Sequence, residues 1–183
     1  MVVGWIIGAI LAIVVIMFIY YYNRLVSLSN QIDNSLSQID VQLKKRSDLV
    51  PNLLESVKGY MKHERGAITE VTNARKVLMG AKTMESKVKA GGQLESALKS
   101  IFALAEAYPD LKANTNFLQL QNELSSIEDK IAYARQFYND GILSYNNACT
   151  TFPGTFFARI YNRQSKTFLK IAAEERAVPK VKF

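Results

Sequence analysis

Few residues in this 183-residue sequence could make or break bonds, and their spacing argues against it. There is one histidine and one cysteine. His63 stands among Lys62, Glu64 and Arg65 on what the local pattern makes a solvated surface, where an imidazole is an ordinary polar side chain. Cys149 lies beside a long apolar seam, as a small packing residue does, so a Cys–His nucleophile pair is not expected. A single thiol also excludes an internal disulfide and a thiolate zinc cluster. Glu123, Glu128, Asp129 and Asp140 read as the polar face of one helix; a carboxylate-bridged two-metal bundle would need inward glutamates and a Glu-x-x-His pair, which the sequence lacks. Glycine-rich phosphate loops, the zinc-protease motif, a nucleophile elbow and the kinase signatures are missing as well. The reading is therefore no catalytic residue, no metal, no cofactor and no enzyme.

What the sequence offers instead is affinity for lipid. Val2 to Tyr22 holds no charged side chain and, at 1.5 Å per residue, reaches about 30 Å as a helix, which matches the hydrocarbon core of a bilayer. A helix satisfies its own backbone hydrogen bonds, so such a segment crosses lipid without leaving polar groups unpaired. Trp5 at one end and Tyr20, Tyr21 and Tyr22 at the other fall where amphipathic rings favour the headgroup level. Nothing basic precedes the run and no small-residue cleavage site follows it, so an uncleaved anchor is expected rather than a signal peptide. Gly4, Gly8 and Ala12 recur every fourth residue and share one helix face, a pattern that lets two membrane helices approach closely. Arg24 flanks the far end, with Lys44, Lys45 and Arg46 beyond it, so the charge asymmetry leans towards an outside N-terminus and a cytoplasmic body.

The net charge of +7 is unevenly placed. Between Arg159 and Lys182 stand seven basic residues, among them Arg159, Arg163, Lys166 and Lys170, against Glu174 and Glu175. Phe156, Phe157, Ile160 and Tyr161, then Phe168, Leu169 and Ile171, are interleaved with them. This basic amphipathic tail either faces anionic lipid, at roughly 1 kcal/mol per basic residue held near the surface, or caps the core with its aromatic rings. No nucleic-acid recognition motif accompanies the charge, so nucleic acid is not an expected partner.

The elements that carry these groups are helical. Gly and Pro are few, and beyond the anchor Ala, Leu, Lys, Glu, Ser, Gln and Asn dominate. Leu25, Leu28, Ile32, Leu36, Ile39 and Leu43, then Val50, Leu53, Val57 and Tyr60, form one stripe at steps of three and four. No Gly or Pro separates this helix from the anchor, which allows the two to be continuous. Pro51 interrupts the stripe, which resumes in phase, so a kink is favoured over a restart capped by Asp48. A further helical pattern runs from Met61 to Met79. The stretch from Gly80 to Gln93, with its Gly91–Gly92 pair, reads as a loop, and a helix from Leu94 stops where Tyr108 meets Pro109. Asn114 or Thr115 then caps the strongest pattern. Phe117, Leu120, Leu124, Ile127, Ile131, Tyr138 and Tyr145 mark a heptad seam of about five repeats, a helix of about 54 Å that must lie against another of similar length, such as Leu25 to Tyr60. Pro153–Gly154 ends it.

Several blocks of this sequence together resemble the LemA family: Tyr22-Asn23-Arg24-Leu25-Val26 after the apolar segment, Gln38 to Arg46 with Asp48-Leu49-Val50-Pro51-Asn52-Leu53, Val57-Lys58-Gly59-Tyr60, Ala103 to Asn114, Asn116 to Gln121, and Ile131 to Gln136 with Tyr138-Asn139-Asp140. The resemblance covers nearly the whole chain. It implies a bacterial single-pass protein of the inner membrane, a bundle of long helices and no established enzymatic activity. Because the family includes MamQ-like members associated with forming magnetosome membranes, it also implies a possible role in organising membrane. At its end the chain departs from the acidic helix usual in the family, since Arg163 to Lys170 is basic.

The sequence thus predicts an all-α protein in which an N-terminal transmembrane helix continues into an elongated antiparallel bundle of long heptad-patterned helices, divided as anchor 1–23, bundle 24–154 and basic amphipathic segment 155–183. The expected function is a membrane-anchored scaffold that self-associates and organises or shapes the bilayer, with the Phe117 to Tyr145 seam as its self-association surface. The alternative is a non-enzymatic, membrane-tethered module that presents its helices to a signalling or envelope protein.

Overall fold

A computed structural model describes residues 1–61 and 63–169. Among these residues the chain is an all-α helical bundle of six helices: α1 (Val2–Lys58), α2 (Arg65–Gly80), α3 (Met84–Ala105), α4 (Pro109–Lys112), α5 (Thr115–Thr150) and α6 (Gly154–Ile160). The apolar segment and the first amphipathic stripe form a single helix, and α1 passes through Pro51 without restarting. The described residues fall into two compact units, Met1–Ser35 with Arg135–Leu169, and Leu36–Ala134, and each takes part of α1 and part of α5.

In the unit Leu36–Ala134, Ile39, Leu43, Val50, Leu53 and Val57 of α1 are buried with Val71 of α2, Leu94 and Ile101 of α3, Leu111 of α4 and Phe117 and Leu124 of α5. Burying each such side chain contributes about 1.5–3 kcal/mol. The parts of α1 and α5 here run antiparallel, because Arg46 pairs with Glu128 while Tyr60, just past the end of α1, receives a hydrogen bond from Asn114, just before the start of α5. Asn114 is the cap of α5, its side-chain oxygen accepting from the Phe117 amide at 3.1 Å. Pro109 opens α4, where its missing amide proton costs nothing.

The segment expected as a loop is mostly helix. Thr83 and Ser86 form a reciprocal capping box that starts α3 at Met84, a full ten residues before Leu94. Gly91 is buried inside it because α3 comes so near α1 that a Cβ there would lie 2.5 Å from the Leu43 side chain. Glycine serves close approach here and not a turn. Lys87 reaches across to Asp40 at 2.5 Å, and the Arg75 guanidinium donates to the Ser47 carbonyl at 2.8 Å.

In the other unit, Leu25 and Ile32 of α1, Tyr138, Ile142, Tyr145 and Ala148 of α5, and Phe157 and Ala158 of α6 are buried. Gly141 admits Ile32, since a Cβ on that glycine would sit 3.1 Å from the isoleucine side chain. Residues 163–169 are not helical, so the tail is not one continuous amphipathic helix. They lie along α5 through side-chain hydrogen bonds that replace a backbone ladder. The Asn146 amide donates to the Lys166 carbonyl at 2.9 Å and accepts from its amide at 2.8 Å, while Asn139 accepts from the Leu169 amide at 3.2 Å. Each pair leaves fewer unmet backbone groups in a strip that has no helix to satisfy them.

Candidate membrane-proximal site

The first third of α1 is the most apolar stretch among the described residues, and Val2 to Ile16 all stay exposed. A core helix of a soluble protein would be covered. Trp5 is exposed, and Gly4, Gly8 and Ala12 lie in the open, with nothing within 4 Å of the position a Cβ would take on either glycine.

The first cover appears at Met17, Phe18 and Tyr21, and over the two rings it is supplied by α6. Phe157 meets Phe18 edge to face at 4.9 Å and stacks on Tyr21 at 4.6 Å with the rings nearly parallel. Tyr161 packs on Tyr22 at 5.4 Å, and its hydroxyl donates to the Phe18 carbonyl at 2.8 Å. Such ring pairs add about 0.5–1.5 kcal/mol each beyond their buried area. Two devices hold α6 in place. Gly154 lets the turn fold onto α5, because a Cβ there would stand 2.1 Å from the Ala148 carbonyl oxygen. At the other end Asn162 takes φ 51°, and the amides of Asn162 and Arg163 donate back to Arg159 and Ala158, a Schellman closure with asparagine in the left-handed position.

The aromatic and apolar residues of the tail thus divide into a packed set and an exposed set. Phe157 and Ala158 face inward, whereas Phe152, Phe156 and Ile160, four residues apart, are 88%, 57% and 48% exposed. Arg159 and Arg163 are exposed beside them. Lys166 is not available to lipid as expected: its ammonium lies 3.0 Å from the Ser29 hydroxyl and 5.2 Å from the centre of the Tyr145 ring, which is a hydrogen bond and a cation–π contact within the chain. Lys170 lies outside the described residues. Of the tyrosine belt, Tyr20 and Tyr22 are exposed and Tyr21 is half-buried under Phe157.

The heptad seam is used within one chain. Phe117, Leu124, Ile127, Ile131, Tyr138 and Tyr145 are buried and Leu120 is half-buried, so this face is occupied by intramolecular packing and is not open to a second copy. Sequence reasoning misses one residue. Arg46 is 2% exposed, donates to the Gly91 carbonyl at 3.1 Å and is paired with Glu128, which ties α1 to α3 and α5.

Groups with chemical potential are quiet. Cys149 is buried, and burial pushes its thiol up, against smaller lowering effects from the Tyr145 hydroxyl, Arg163 and Lys166. A protonated, covered thiol is a poor nucleophile. His63 is exposed. Glu123 accepts a hydrogen bond from Gln119 at 3.0 Å on the outer surface of α5, and among the described residues no three His, Cys, Asp or Glu side chains stand together to hold a metal ion.

These features are those of an anchored helical bundle, and the sequence comparison agrees. The model of the LemA family matches residues 35–183. The chain belongs to the LemA family. Protein LemA of Metamycoplasma hominis is similar, 31% identical over 146 residues that cover 78% of this chain and 67% of the relative. Magnetosome protein MamQ of Magnetospirillum gryphiswaldense and Magnetosome protein MamQ 2 of Paramagnetospirillum magneticum are each 22% identical over 165 residues, covering 76% of this chain and 61% of theirs. The chain thus spans less than two thirds of the MamQ proteins. The family match begins inside α1, so the likeness is carried by the bundle and the tail. Together with the exposed apolar third of α1, it makes this a membrane-associated helical protein of the LemA family.

Proposed function

We propose that this LemA-family chain is a non-enzymatic, single-pass membrane scaffold that gathers copies of itself through its membrane helix and so organises or shapes the bilayer. The observation that carries the reading is the change of role along α1. Its apolar first third is left outside the chain's core, while Leu25 to Val57 of the same helix supply core residues. Energy for placement in lipid and energy for folding thus come from different parts of one continuous element.

Because the seam of α5 is occupied, self-association falls to the open Gly4–Gly8–Ala12 face, where small residues permit close backbone contact. The likeness to two magnetosome proteins supports a membrane setting. In this reading the N-terminus lies outside the bacterial inner membrane and the bundle is cytoplasmic. The test is disulfide trapping of Gly8→Cys in a Cys149→Ser chain reconstituted in liposomes, with electron microscopy of the same vesicles. Trapped homodimers and clustered or deformed vesicles are expected. Monomers on smooth vesicles would overturn the scaffold, and a trapped heterodimer from native membranes would instead favour a module that serves another protein.

A further inference from the structure

Among the described residues no other element covers the outer face of α6, although its inner face is closely packed. Phe156 and Ile160 share that face and stay exposed, Phe152 in the turn before α6 is exposed as well, and Phe157, one step from Phe156, is buried against Tyr21. Two bulky aromatic rings and an isoleucine facing water in a row are costly for a soluble surface.

The position of that face says what covers it. Residues 2–19 measure about 27 Å as a helix, close to the hydrocarbon thickness, so the level of Tyr20 to Tyr22 is where α1 leaves the acyl chains. α6 is docked at that level, on Phe18, Tyr21 and Tyr22. Its exposed apolar face thus lies at the level where that segment enters lipid. Charge agrees with this placement, because Arg159 is exposed beside the apolar row and Arg24 stands in α1 just past the tyrosines, while Arg163 is engaged by the Tyr145 hydroxyl. Guanidinium groups at this height meet lipid phosphate, for which their fork of donors is suited.

We propose that α6 is an interfacial helix which, with the turn before it, sets Phe152, Phe156 and Ile160 into the headgroup–acyl boundary of the bilayer that α1 crosses, with Arg159 on lipid phosphate. The chain then grips the membrane at two places, a span and a hook beside it, and the ring stack between Phe157 and Tyr21 fixes one to the other. A single span leaves the bundle free to turn about the helix axis and tilt. The hook limits both motions and adds apolar area on one leaflet only, which is the geometry of a wedge. The inference rests on α1 crossing the membrane.

The experiment separates the two. Trp5 is the single tryptophan of the sequence, so its emission in vesicles made with brominated lipid reports the span by itself. Phe156→Trp in a Trp5→Phe chain reports the hook, and Ile160→Trp repeats the reading at a second exposed position. In full-length protein reconstituted in vesicles of mixed zwitterionic and anionic lipid, tryptophan at either hook position is expected to lose about half its emission to lipid brominated near the headgroup and much less to lipid brominated near the chain end, as an interfacial side chain must. If Trp5 is quenched and both hook tryptophans are not, the hook is overturned and the span stands. The hook is equally overturned if its tryptophans shift to the blue without quenching, since a second copy or another protein then covers the face. If no position is quenched, span and hook fall together.

Discussion

Replacing Glu128 by glutamine leaves the Arg46 guanidinium charged, almost wholly enclosed and without its carboxylate. Breaking a fully buried pair by removing one partner costs about 3–5 kcal/mol. Here the Glu128 side chain keeps 35% of its exposure, so solvent already screens part of the attraction, and Arg46 retains the Gly91 carbonyl. Both facts lower the loss, to about 2 kcal/mol. For a chain of this size that is a fall of about 4–8 °C in Tm, followed by helical circular dichroism of the full chain in detergent. The converse variant, Arg46→Met, is expected to be milder. It removes the enclosed charge, fills the space with a flexible apolar side chain and leaves Glu128 able to hydrate. The double variant is expected near the wild-type value, because it takes away both the attraction and the desolvation that opposes it. If Glu128→Gln unfolds at the wild-type temperature, or if Arg46→Met is the more damaging single change, the reasoning that the enclosed guanidinium depends on this carboxylate is wrong.

Two more outcomes follow from the unit that holds α6. Gly154→Ala forces a Cβ against the Ala148 carbonyl oxygen, a backbone atom that cannot swing aside, and is expected to cost about 1–3 kcal/mol and to free α6 from Tyr21; proteolysis at Arg159 should speed up, and an unchanged cleavage rate would refute the tight turn. Burial raises the pKa values of Cys149, Tyr138 and Tyr145 above their ordinary ranges, with Asp33 adding to the rise at Tyr138 and Arg163 opposing it at Tyr145. The unfolded chain then releases these protons first as pH climbs. Stability is full below about pH 8.5 and declines through the thiol and phenol range, so the urea midpoint should fall between about pH 8 and pH 11, and a midpoint that holds or rises would contradict the burial of these groups.

The helical plan was readable because it rests on periodicity. The stripe from Leu25 to Val57 and the seam from Phe117 to Tyr145 repeat at the spacing of a helix, and the apolar third of α1 is defined by composition and length alone. What sequence could not show was which neighbour each side chain meets. The Gly91–Gly92 pair looks like a loop until Leu43 is seen pressed against Gly91, a contact between residues far apart in the chain. Arg46 reads in the sequence as one of three basic residues well beyond the anchor, yet it occupies the stripe position between Leu43 and Val50 where an apolar residue is due. That gap was the available signal. The tail was harder, because Phe156 and Phe157 are adjacent and equally apolar, and only the start of α6 at Gly154 decides which of them faces α1.

Both the scaffold and the hook depend on the apolar third of α1 lying within a bilayer and holding the rest of the chain there. Washing reconstituted or native membranes with alkaline carbonate tests this most directly, since that treatment strips proteins held by charge or by a surface helix and leaves spanning helices in place. The full-length chain is expected to stay with the lipid pellet even as its bundle loosens at high pH, and a chain lacking residues 2–19 is expected to be released. Release of the full-length chain into the supernatant would contradict the membrane span.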